Sequence, residues 1–103
     1  MEASMGWAKY HIQKLLNGET VSFRPRGNSM KGRIKSGQLC TVSPDVSDLG
    51  VDDIVLCKVK GHEYLHLIKA IQGNRFLIGN NRGGINGWIG HNCVYGKLIK
   101  VED

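Results

Sequence analysis

Between Ser4 and Asn17 the apolar residues Ala8, Ile12, Leu15 and Leu16 recur at the i, i+4, i+7, i+8 spacing of an amphipathic helix, and Gly18 stands where a left-handed cap would end it. After this point the helical period is lost. Short runs rich in β-branched and apolar residues follow, at 20–23, 39–42, 54–59, 64–71, 75–78 and 94–101. Gly61-His62, Gly73-Asn74 and Gly83-Gly84 fall between them as turn signals. Trp88 and Ile89, set between Gly87 and Gly90, are expected in the core by the burial habits of large apolar side chains, the alternative being the lining of a hydrophobic cleft. The pattern predicts a mainly β fold (β-rich α+β) forming one domain over residues 1–103. An N-terminal helix lies in 1–18 and the β domain in 20–101. No internal repeat or low-complexity linker interrupts it.

Composition narrows the picture. A chain of 103 residues is near the commonest domain size, and fourteen glycines against two prolines suit a fold of tight turns. The net charge is +5, and Arg24, Arg26, Lys31, Arg33 and Lys35 crowd into one stretch. Such a stretch attracts an anionic ligand or an acidic peptide; the lack of interleaved aromatics argues against nucleic acid. Cys40, Cys57 and Cys93 are odd in number and form no C-x-x-C pair, so they read as buried thiols in a reducing, cytosolic setting. No apolar run approaches the roughly 18 residues of a membrane span. No cofactor is expected, and the oligomeric state is left open.

The candidate chemistry lies in Gly27-Asn28-Ser29-Met30-Lys31, where a hydroxyl sits in a turn amid the basic residues. A serine becomes a nucleophile only beside a base, and His66, in the run Leu65-His66-Leu67-Ile68, is the candidate. The pattern G-x-S-M-K-x-x-I-x-x-G-x-L from Gly27 to Leu39 resembles the active-site serine segment of the LexA-type autopeptidases and, more distantly, type I signal peptidases. Val51-Asp52-Asp53-Ile54-Val55, Leu65-His66-Leu67-Ile68-Lys69, Gly73-Asn74 and Gly79-Asn80-Asn81 extend the likeness over residues 21–101.

The resemblance implies a LexA/signal-peptidase-like β domain. It also implies Ser29 as nucleophile, His66 in the position of the general base, and the backbone N–H groups of Ser29 and Met30 as oxyanion donors. The histidine-using branch of signal peptidases carries a downstream aspartate where this chain has Asn80, so Asn80, Asp53 or Asp52 is expected to orient the imidazole. Self-cleavage in LexA-type proteins uses an Ala-Gly or Cys-Gly bond. Neither precedes Ser29, so the expected substrate is a peptide or protein cut in trans.

Two other functions fit the same residues. A catalytically silent module could hold a peptide or anionic ligand with Arg24, Arg26, Lys31 and Arg33. His62-Glu63-Tyr64-Leu65-His66 also spells H-E-x-x-H, the signature of a zinc hydrolase, but that motif needs a helix to bring its histidines to one metal. The flanking residues are β-prone, so no metal is expected.

Overall fold

The structure, a computed structural model, describes residues 6–103. One helix, α1 (Lys9–Leu16), precedes seven strands: β1 (Val21–Phe23), β2 (Leu39–Ser43), β3 (Ile54–Val59), β4 (His62–Gln72), β5 (Arg75–Gly79), β6 (Ile85–Gly90) and β7 (Val94–Glu102). They form a single antiparallel sheet in the order β1-β2-β7-β3-β4-β5-β6. The molecule is thus mainly β. No helix is long and apolar enough to cross a membrane.

α1 ends in a Schellman motif. The N–H of Glu19 bonds the Lys14 carbonyl at 3.0 Å, and that of Gly18 bonds Leu15 at 3.0 Å. The helix is shorter than its sequence period suggests, since residues 6–8 form a turn; Ser4 and Met5 lie outside the described residues. Ala8 and Leu15 are buried, and the His11 ring stacks on Phe23 at 4.5 Å, which fixes α1 over β1.

β3 is covered on both faces, which explains its unbroken apolar run. Ile54 and Leu56 join a cluster with Leu15, Met30, Ile34, Val42, Leu65 and Leu67; Val55, Cys57 and Val59 join another with Ile68, Phe76, Ile78 and Ile89. The sheet therefore separates two apolar layers. β7 lies between β2 and β3, so the C-terminal strand ties the two halves of the sheet together.

Several expectations need correction. The β3–β4 hairpin turns at Lys60-Gly61, whose φ values of 51° and 83° suit a two-residue type I′ turn, so His62 opens β4 rather than lying in the turn. β6 was not expected, because Gly87 and Gly90 within Ile-Asn-Gly-Trp-Ile-Gly resemble turn residues. Ile89 is buried as expected, but Trp88 points outward and is 40% exposed. Cys40 and Cys57 are buried, whereas Cys93 is only half-buried.

Candidate active site

Ser29 lies in the connection from β1 to β2, and that connection is fixed from below. Met30 (0% exposed) and Ile34 (1%) sink into the first apolar cluster. Between them the chain makes a helical turn, with the N–H of Lys31 on the Asn28 carbonyl and those of Arg33 and Ile34 on that of Met30. The N–H of Gly37 bonds the Pro25 carbonyl at 2.8 Å and closes the base of the loop. Gly27, with φ of 116°, permits the bend that leads into Ser29. The backbone amides of Ser29 and Met30, the expected oxyanion donors, stand at the start of this turn.

A second segment holds the loop from the side. The N–H of Asn81 donates to the Ser29 carbonyl at 3.0 Å, and its side-chain Nδ2 donates to the Lys31 carbonyl at 2.9 Å. The β5–β6 turn is in this way docked onto the serine loop.

His66 comes from the middle of β4, paired with Val55 of β3, and is only 3% exposed. Its Nε2 lies 3.1 Å from Ser29 Oγ, and its Nδ1 lies 2.7 Å from Asn86 Oδ1. A carbonyl oxygen only accepts, so the Nδ1 position carries the proton and donates it to Asn86. Nε2 is then left to accept from the Ser29 hydroxyl, the tautomer that a general base requires. Burial pushes the His66 pKa down to about 4, with the Asn86 hydrogen bond acting in the opposite direction. The imidazole is therefore neutral at neutral pH. The Tyr64 ring, 4.8 Å away, flanks it.

The residue hydrogen-bonded to the imidazole Nδ1 is Asn86; neither Asn80 nor Asp53 is. Asn80 Oδ1 accepts the N–H groups of Arg82 and Gly84, both at 2.8 Å, and so shapes the β5–β6 turn. Asp53 Oδ2 accepts the Gly50 N–H at 2.8 Å and pairs with Lys97 at 3.4 Å. Asp52 is exposed at the turn before β3, and its carbonyl accepts from Arg33.

Asn86 reaches the imidazole because β6 is irregular. Ile78 pairs with Gly87 and Gly79 with Ile85, which leaves Asn86 as the extra residue of a bulge. In β4 the register breaks between Ile68 and Ala70, leaving Lys69 as another extra residue. Gly79 lies between these irregular strands, and a Cβ there would collide with the Gly84 carbonyl oxygen and press on Lys69. The one signal for Asn86 in the sequence is a polar residue one glycine before the pair Trp88-Ile89, and it carries no period.

Arg24, Arg26, Lys31 and Arg33 are all exposed on the serine loop. Arg24 donates to the Gly37 carbonyl at 2.9 Å and Arg33 to that of Asp52 at 3.2 Å. His62 and His66 both lie in β4, where positions i and i+4 are separated by about 13 Å. The H-E-x-x-H residues thus lack the helical geometry that a shared zinc needs. No cluster of three or more metal-ligating residues occurs among the described residues.

No family model, curated protein or solved structure matches the chain.

Proposed function

We propose that this protein is a serine peptidase-like hydrolase, akin to the LexA-type and signal peptidases, that cuts a peptide bond in another molecule. The observation that carries this function is the relay from Ser29 Oγ to His66 Nε2 at 3.1 Å and from His66 Nδ1 to Asn86 Oδ1 at 2.7 Å. Ser29 Oγ attacks the carbonyl carbon while its proton passes to His66 Nε2. The tetrahedral oxyanion is held by the backbone amides of Ser29 and Met30. His66 then returns the proton to the departing amine, leaving an ester on Ser29. Water, deprotonated by the same nitrogen, hydrolyses that ester and regenerates the hydroxyl. The three free thiols fit a cytosolic setting for this work.

A fluorophosphonate probe tests the nucleophile. It is expected to label wild-type protein at Ser29, identified by peptide mass mapping, and labelling should fall by at least about a thousandfold in Ser29→Ala and in His66→Ala, since the pair acts as a unit. Undiminished labelling of Ser29→Ala excludes Ser29 as nucleophile. One observation favours a second function, a binding module at the same site: Asn86 is neutral and cannot offset the charge of an imidazolium as a carboxylate does. A protein that resists the probe in every form, yet binds peptide equally well with and without His66, is a binding module.

A further inference from the structure

The sequence holds no acidic residue between Glu19 and Asp45, and none between Glu63 and Glu102. The first stretch carries Ser29, and the second carries His66 and Asn86. In the fold these two stretches meet, because Asn81 docks the β5–β6 turn on the serine loop and brings Arg82 alongside it. Arg24, Arg26, Lys31, Arg33, Lys35 and Arg82 are all solvent-exposed. Asp52, whose carbonyl Arg33 contacts, and Asp103, whose Oδ1 accepts from Gln38, are acidic residues beside the loop, and neither forms an ion pair with the six. Arg24 and Arg33 donate to main-chain carbonyls, which fix the guanidinium groups without neutralising them. The ion pairs among the described residues, Lys58–Glu63, Lys97–Asp53 and Lys100–Glu102, include none of the six.

A surface on which basic side chains outnumber acidic ones concentrates ligands of negative charge. The segment 24–38 and the turn 80–84 contain no aromatic residue on which bases would stack, so a single-stranded nucleic acid is poorly matched. The dyad, moreover, is arranged for attack on an acyl carbon. We propose that the surface beside Ser29 takes a peptide with aspartate or glutamate on both sides of the reacting bond, held by Arg24, Arg26, Lys31 and Arg82. The cutting of that bond rests on the peptidase function proposed above; the preference for acidic sequence applies equally to a peptide that is bound and left intact.

The test is fluorescence anisotropy on the Ser29→Ala protein with a fluorescein-labelled peptide whose Ala-rich centre is flanked by Asp and Glu. Its comparators are the Asn/Gln isostere, a Lys-flanked peptide and an oligothymidylate. The acidic peptide is expected to bind roughly tenfold or more tightly than its isostere at low salt, with the margin shrinking as ionic strength rises. Arg26→Glu combined with Arg82→Glu should bring that margin near unity, and the milder Arg26→Gln with Arg82→Gln should reduce it. Lys9→Glu, at the start of α1, should preserve it. Equal affinity for the acidic and isosteric peptides, or tighter binding of oligothymidylate, overturns the proposal. Acid-selective binding without cleavage by wild-type protein upholds it while removing the peptidase function. Equal cleavage of both peptides by wild-type protein does the reverse.

Discussion

In the proposed mechanism His66 answers two opposed demands. A base must be neutral before it can accept the serine proton, and burial secures this by pushing its pKa to about 4. The same burial penalises the imidazolium that forms on acceptance, and Asn86 offers it only a dipole. Asn86→Asp places a carboxylate opposite Nδ1 with almost no change in shape, so the His66 pKa should rise. The acid limb of the pH–labelling profile is expected to move upward from about pH 4, and labelling at neutral pH should quicken by about tenfold or more. An unmoved limb counts against His66 as the base. Stability follows the same linkage. Between about pH 4 and the ordinary 6.5 the unfolded chain takes up a proton that the folded one refuses. The stability held by neutral His66 is complete above pH 6.5 and is lost as pH falls towards 4, by on the order of 3 kcal/mol. Urea midpoints measured at about pH 7 and about pH 5 should differ less in His66→Gln than in wild type.

At the scale of elements, the parts of the fold with a regular period were legible and the irregular ones were not. Ala8, Ile12 and Leu15 mark α1, and the apolar runs of β3 and β4 mark central strands. The pairing of Ser29 with His66 followed from motif likeness, and no period would have supplied it. Asn86 escaped because it lies in a glycine-interrupted strand and faces the imidazole only through a bulge, which no alternation of residues encodes. Asn80, the more conspicuous amide, shapes the turn instead. The bulged region has its own test. A methyl at position 79 would strike the Gly84 carbonyl and Lys69, so Gly79→Ala should cost about 1–3 kcal/mol. It should also slow probe labelling of Ser29 by displacing Asn86. A lowered melting temperature with an unaltered labelling rate separates the bulge from the reactivity of the site.

At the scale of the molecule, the segments that carry Ser29 and His66 are anchored in different apolar layers. Met30, next to Ser29, lies in the layer shared with α1 and β2, while His66 shares its face of the sheet with Val55 and Ile68 in the other. The 3.1 Å contact between Ser29 and His66 therefore joins the serine loop, anchored through Met30, to a strand of the sheet. A small shift of the loop against the sheet lengthens it before the sheet comes apart. Heat is the simplest way to produce such a shift. Met30→Ala, which empties a sealed position beneath the serine loop, is expected to remove about 2–5 kcal/mol and lower the melting temperature by roughly 10–20 °C. Its labelling, measured by probe in stepped warming, should fade at temperatures where circular dichroism still reports a folded sheet. Loss of both signals at one temperature would mean that the loop leaves the sheet only on global unfolding. Early fading makes this protein a temperature-sensitive reagent whose reactivity disappears while its shape persists.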